Sequence, residues 1–306
     1  MKKYACLVPL ALALAACGSS EPPAPVAAAP KATAPLDQPA EPTPPQSAQS
    51  VADAKIDTVL AGSWRSDANK ARDAYRHPKQ TLEFFGVKPG QSLIEITPGG
   101  GWYAEILAPL MKGDGSYVAA ISRPRDANGE AAQDKSTLEK KFEGDAERYG
   151  EAKVVVFDGK APSFGAPGSA DVVLTFRNAH NWAGGGTAEA MFKAFFDVLK
   201  PGGTLGVVDH RAAAGADFAK IKDSGYLPED MLVKFATDAG FTLAEKSEIN
   251  ANPKDTKDYE KGVWTLPPTL ALGDKDREKY VAIGESDRMT LKFVKPAGDS
   301  VFKPKD

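Results

Sequence analysis

The chain has three histidines, and two of them fall where chemistry is easiest to arrange. His180 lies in VVLTFRNAHNW, just past an apolar run, with Asn178 and Trp182 close by; His210 ends LGVVDH, directly after Asp209 and before Arg211. An imidazole of near-neutral pKa can take a proton from a hydroxyl or amine as that group attacks an electrophile. A structural reading competes, with His180 capping a strand end and His210 paired with Asp209 or with a carbonyl. Two histidines and an acid could also ligate a metal, but sequence does not give ligand geometry and no metal is assigned.

The second group is backbone rather than side chain. In LIEITPGGGWYAEILAPLM, residues 93–111, an apolar run carrying Glu95 gives way to Thr97, Pro98, three glycines and an apolar segment at helical spacing. That pattern is a strand, a tight turn and a helix. Gly99, Gly100 and Gly101 lack the Cβ that keeps a ligand off the backbone, and the helix beyond offers unpaired N–H groups and the positive end of its dipole. Such a turn suits a small molecule; its plainer use is close packing of strand against helix.

Both groups need a scaffold, and the rest of the chain supplies one. Strands are expected over residues 92–97, 117–121, 154–157, 171–176, 204–209, 241–248 and 288–294. Helices are expected over 102–111, 136–149, 191–199 and 228–240, with a mixed helical stretch over 66–85 that holds His77 before Pro78. The runs at 154–157 and 171–176 are apolar and β-branched without alternation, which predicts strands covered on both faces and therefore parallel. Strand and helix alternate, so the fold class is α/β, a doubly wound, mostly parallel seven-stranded sheet. Ligands of such sheets bind outside the carboxyl ends of the strands, which brings both histidines to one crevice. Residues 250–287 form a long connection in which Tyr259, Trp264 and residues 266–268 need packing partners, a candidate lid or specificity loop.

The first 50 residues read differently. Lys2 and Lys3 precede an apolar run too short to span a membrane, so residues 1–16 are expected to be an export signal. Residues 18–50 are dominated by proline and alanine and are expected to be an extended tether, leaving residues 51–306 as the domain. Cys6 and Cys17 are the only cysteines. With both outside the domain, thiol catalysis and cysteine-based metal sites are excluded from it. The formal net charge of −3 argues against a nucleic-acid partner.

Leu14-Ala15-Ala16-Cys17-Gly18 resembles the lipobox of bacterial lipoproteins, which implies acylation at Cys17, a membrane anchor through lipid only, and a periplasm-facing place in the cell envelope. Gly18 after the cysteine resembles lipoproteins sent to the outer membrane. Over residues 66–296 the chain resembles the class I S-adenosylmethionine-dependent methyltransferase superfamily, through LIEITPGGG (93–101), APSFGAPGSADVVLTF (161–176) and LKPGGTLGVVDH (199–210). GVKPG, GGGWYAEILAPLM, RNAHNW and VVDHR are similar to a family of exported bacterial proteins described as predicted methyltransferases. The resemblance implies S-adenosylmethionine as cofactor, with Glu95 and the backbone of residues 97–101 at its amino-acid end and Asp158 and Gly159 near the adenine, where the plain alternative is an Asp-Gly turn. It places Asn178 beside the cofactor and makes His180, His210 and Asp209 the catalytic candidates. It also makes the 250–287 connection an insertion, since the last two strands usually form a hairpin.

Two positions depart from that pattern. Thr97 stands at the first glycine position, and the second strand ends in Ala120-Ile121-Ser122 with no acid before Asp126 to bind the ribose hydroxyls, which predicts weakened or altered cofactor binding. Gly99-x-Gly101-x-x-Ala104 also fits the dinucleotide fingerprint, but that reading needs the same missing acid. The leading expectation is an envelope-tethered methyltransferase acting on a small or envelope-associated acceptor. The alternative is a non-catalytic lipoprotein that keeps the fold to bind a ligand or partner.

Overall fold

Alternating apolar runs and amphipathic segments build a layered α/β domain. The computed structural model describes residues 48–122 and 135–298. The expected leader, Cys17, all but the last residues of the expected tether and Asp126 lie outside the described residues. Seven strands form one sheet: β1 (Ser92–Ile96), β2 (Ser116–Ile121), β3 (Lys153–Val156), β4 (Ala170–Phe176), β5 (Leu199–His210), β6 (Thr242–Ser247) and β7 (Arg288–Val294), in the order β3-β2-β1-β4-β5-β7-β6. Strands β1 to β5 are parallel, and β7 runs antiparallel to both β5 and β6. The order reverses between β1 and β4, and the carboxyl ends of those two strands open the crevice where such folds take ligands.

Twelve α-helices are described: α1 (Ala48–Leu60), α2 (Asp67–Lys70), α3 (Asp73–Arg76), α4 (Pro78–Phe85), α5 (Ala104–Met111), α6 (Thr137–Gly144), α7 (Ala146–Tyr149), α8 (Ala179–Gly184), α9 (Ala188–Val198), α10 (Phe218–Ile221), α11 (Glu229–Asp238) and α12 (Arg277–Ile283). Alternate strand residues face opposite layers. Ile94, Ile96, Val173, Leu205, Val207 and Leu291 pack with Met191, Phe192, Phe195 and Leu232 from α9 and α11. Leu93, Tyr117, Val172, Leu174 and Val208 pack with Ile56, Leu82, Phe85, Ile106 and Leu107 from α1, α4 and α5. Each such side chain, fully buried, contributes roughly 1.5–3 kcal/mol. Among the described residues no helix is long and apolar enough to cross a membrane.

Several boundaries differ from the sequence expectation for local reasons. Strand β3 is not covered on both faces: it is a sheet edge, and Val156 is 46% exposed. The helix expected over 136–149 is two. Ser136 and Glu139 form a capping box on α6, and Asp145, at φ −140° and ψ 68°, breaks the run and caps α7 by accepting from the Arg148 N–H. The stretch at 66–85 is three short helices, with His77 at φ 41° between α3 and α4. Helix α5 begins at Ala104 rather than at 102, because the turn runs on through Tyr103. Strand β5 starts at Leu199, so the Lys200-Pro201-Gly202-Gly203 segment opens the strand rather than only ending α9. Helix α8, which carries His180, was not expected.

Candidate functional site

The glycine turn lines the first of two pockets at the carboxyl ends of the strands. Thr97, Gly99 and Gly101 all have positive φ, 53°, 59° and 83°, so the chain reverses sharply after β1. A cavity of about 260 Å³ opens beside it, lined in part by Glu95, Thr97, Gly99, Gly100, Trp102 and Asn178, together with Arg72, Arg76 and Arg177. Thr97 Oγ1, Arg72 Nη2 and Arg76 Nη2 are buried without a hydrogen-bond partner. Buried polar atoms are normally paired, so three orphans on residues that line one cavity single it out among the described residues.

The three glycines are not equivalent. A Cβ on Gly99 or Gly100 would meet nothing within 4 Å, so these two leave backbone open to the cavity. A Cβ on Gly101 would lie 2.6 Å from Leu138 Cδ1, which is the packing role. Glu95 is buried, and Tyr117 Oη donates to its Oε2 at 2.6 Å. Burial pushes the Glu95 carboxyl up to about 7 against the opposing effect of that hydrogen bond. Asn178 lines the cavity but also clasps the sheet, its Nδ2 lying 3.2 Å from both the Ile96 and Thr97 carbonyls and 3.1 Å from Thr175 Oγ1. Asp158 is exposed and makes the Asp-Gly turn, accepting from the Lys160 N–H at 2.9 Å, and neither it nor Gly159 lines this cavity.

The second pocket is built on the histidines. Asp209 is fully buried at the end of β5, where Oδ2 accepts the His180 N–H at 2.9 Å and Oδ1 accepts the His210 N–H at 2.7 Å. The first of these bonds satisfies an otherwise orphaned amide in the first turn of α8, so a carboxylate on β5 fixes the helix that carries His180. His180 Nδ1 lies 2.8 Å from Asp209 Oδ1. A carboxylate that already accepts from two backbone amides accepts a hydrogen bond from His180 Nδ1–H as well, which leaves Nε2 as the nitrogen with the free lone pair. The His210 ring pairs with Ser286 Oγ at 2.5 Å rather than with Asp209, which takes only its backbone N–H; burial, then the neighbouring His180 and Arg177, holds it well below the usual imidazole range. The two rings lie with centroids 5.1 Å apart and planes tilted by 58°. They line a cavity of about 140 Å³ with Arg177, Asn181 and Ser286, and the 250–287 connection covers it with Trp264, Pro267, Pro268 and Thr269.

Ligand atoms of His180, Asp209 and His210 lie within 4.8 Å of one another, close enough for a metal. The charge argues otherwise. Both Asp209 oxygens are engaged by N–H donors, and Arg177, Arg288 and Arg76 surround His210 with positive charge.

Sequence reasoning missed the arginines. Glu285, just before β7, accepts from Arg72 at 2.7 Å, Arg76 at 3.1 Å and Arg288 at 2.9 Å. Although burial alone would raise it, Arg288, Arg76 and Arg72 hold the Glu285 carboxyl down at about 2. Arg177 carried a signal, since it directly precedes Asn178 in RNAHNW; Arg72 and Arg76 carried none, because an exposed helix would show the same spacing. Arg211, expected at the crevice, pairs instead with Glu248 and Asp287 beside a different cavity. Trp182 is core, against Phe195. Trp102 lies under Arg76, 4.6 Å from ring centroid to guanidinium, and Tyr103 stacks on Phe176.

No family model and no curated protein matches the sequence. Solved structures do match. A Galdieria sulphuraria protein assigned as a sarcosine dimethylglycine methyltransferase superposes with a TM-score of 0.52 at 14% identity, over 81% of this chain and 99% of that one. The [4+2]-cyclase SpnF superposes with a TM-score of 0.50 at 16% identity, over 82% of this chain and 97% of that one. The fold is the Rossmann-like methyltransferase fold. One neighbour is assigned as a methyltransferase and the other is a cyclase, so the fold leaves the reaction open and the site must decide it.

Proposed function

We propose that the chain is an S-adenosylmethionine-dependent methyltransferase, tethered to the cell envelope through Cys17, that acts on a small or envelope-associated acceptor. One observation carries the reading. Thr97, Arg72 and Arg76, each with an unpaired buried polar atom, line one cavity with the open glycine turn, beside a second cavity that holds an Asp209-oriented imidazole.

These groups fit the amino-acid end of the cofactor. The guanidiniums of Arg72 and Arg76 suit its carboxylate, Glu95 its ammonium group, and the open backbone at Gly99 and Gly100 admits it. When bound, the cofactor supplies an electrophilic methyl group. His180 would take the proton from the acceptor's hydroxyl or amine at Nε2 as the bond to carbon forms, while Asp209 holds the ring and steadies the imidazolium. His210, kept toward its neutral form by burial and the neighbouring His180 and Arg177 and hydrogen-bonded to Ser286, lines the same cavity and orients the acceptor.

The second reading, a non-catalytic binding protein on the same scaffold, is favoured by one feature. Strand β2 ends in Ala120 and Ile121 without the acid that would grip the ribose. Calorimetry of the purified full chain with S-adenosylmethionine and S-adenosylhomocysteine tests the choice. Dissociation constants below about 100 μM are expected, and no measurable heat with either would leave the binding-protein reading standing.

A further inference from the structure

Positive charge is in excess at this site. Arg72, Arg76 and Arg288 all pair with the single carboxylate of Glu285, and a fourth guanidinium, Arg177, sits in the same cluster. Asp209 lies nearby, but its oxygens are committed to His180 and His210. Glu95 is pushed toward its neutral form by burial. Among the described residues no hydrogen bond or ion pair engages the Arg177 side chain; burial lowers its pKa, and only the through-space field of Glu285 and Asp209 opposes that. Arg177 is half-buried, and a partly desolvated guanidinium without a counter-ion is retained most readily where a ligand neutralises it.

The position of Arg177 is as telling as its charge. It follows β4 at φ 63°, a left-handed conformation that non-glycine residues adopt at a cost of about 1–3 kcal/mol, with its N–H bonded to the Val208 carbonyl at 2.7 Å. That conformation leaves its side chain lining both cavities, the one beside the glycine turn and the one holding the histidines. Arg72 and Arg76 line the first only. The anion needs of the two cavities are therefore separable: Arg72 and Arg76 face the turn, and Arg177 reaches the histidines.

We propose that the histidine cavity takes a small anionic ligand, with a carboxylate or phosphate group, held by Arg177 beside His180. This deepens the methyl-transfer reading by giving the acceptor a charge, and rests on that reading only for the word acceptor. Glu285 also lines this cavity, but its charge is matched by Arg72, Arg76 and Arg288, which leaves Arg177 to meet a compact anion under the cover of Trp264, Pro267 and Pro268 in a volume of about 140 Å³. The alternative source of the same chemistry is the carboxylate of the cofactor itself, lying against Arg72 and Arg76.

Calorimetry on the full chain at constant ionic strength separates the two sources, with inorganic phosphate and malonate as probes, each with and without saturating S-adenosylhomocysteine. At least one probe is expected to bind with unchanged affinity when the nucleoside is present. Arg177→Gln should weaken it roughly tenfold or more, and Arg177→Lys should recover part of the loss. Asn181→Glu, which adds a carboxylate to the same cavity wall, should weaken it too and guards against a misfolded Arg177 variant. Loss of anion binding on adding S-adenosylhomocysteine, equal affinity in wild type and Arg177→Gln, or binding of neither probe would each overturn the proposal. Nucleoside binding without anion binding removes this inference alone, whereas anion binding without nucleoside binding removes the transfer reading alone.

Discussion

Asn178 shows how a single side chain can serve both scaffold and site. Its amide nitrogen faces carbonyls at the end of β1 and the Thr175 hydroxyl on β4, so it fastens together the two strands whose divergence opens the crevice. Asn178→Asp would set a carboxylate against those acceptors, with an expected cost of about 3–5 kcal/mol, against about 1–3 kcal/mol for Asn178→Ala. Urea denaturation of the two variants checks the difference, and equal losses would mean that the amide is not acting as a donor. Glu95 is a second case. Its folded pKa, raised from 4.5 to about 7 by burial, means that the folded state holds a proton that the unfolded chain has released between those values. The contribution of Glu95 to stability is therefore fully present below pH 4.5 and is lost as pH rises through 7, by at most on the order of 3 kcal/mol. Glu95→Gln should match wild type near pH 4.5 and exceed it at pH 8; parallel pH profiles of the two proteins would refute the assignment.

The turn after β1 divides its work among its glycines, which is a property of the element rather than of any one residue. Gly101 lets the turn close against α6, where Leu138 Cδ1 occupies the space that a Cβ would need, while Gly99 and Gly100 keep the ligand side clear. Gly101→Ala should cost about 1–3 kcal/mol through strain at positive φ and the clash, and the loss in a Gly101→Ala, Leu138→Ala double variant should be smaller than the sum of the singles. Gly100→Ala should leave stability within about 1 kcal/mol of wild type but weaken S-adenosylhomocysteine, since its Cβ enters open cavity. Thermal unfolding and calorimetry on the same samples distinguish the two effects. Helix α8 makes a related point. It is only six residues long, and its position is set by Asp209 from a neighbouring strand rather than by a cap of its own.

Across the whole molecule, Glu285 joins segments that are far apart in sequence. Arg72 and Arg76 come from the segment ahead of β1, and Arg288 starts the final strand, so one carboxylate draws the beginning and end of the domain over the crevice. Glu285→Gln leaves those guanidiniums without their counter-charge, and we expect a loss of about 3–5 kcal/mol in guanidinium-free denaturation. The pH dependence follows from a folded pKa near 2 against 4.5 unfolded. The contribution is present above pH 4.5 and disappears as pH falls toward 2, because the unfolded chain then binds a proton that the folded one refuses. His210 acts in the same direction at higher pH, since its depressed pKa penalises the fold as pH drops below 6.5. Acid unfolding should therefore begin earlier in wild type than in His210→Gln, provided the amide keeps the Ser286 contact.

Local pattern was enough for the sheet and for the sharp turn after β1. Periodicity of 2 and 3.6 marks which face of each element is apolar, and the glycine run at 99–101 and the histidines at strand ends have meaning within a few residues of themselves. The arginine cluster had no such signature. Arg72 and Arg76 look like ordinary surface positions until Glu285, over 200 residues away in the chain, is folded against them. The same holds for the partner of Asp209, which adjacency in sequence suggests is His210 and which the packing of α8 on β5 makes His180. Side-chain pairing across a crevice depends on which elements become neighbours and at what angle, and that is decided by burial of the whole core rather than by the residues that pair.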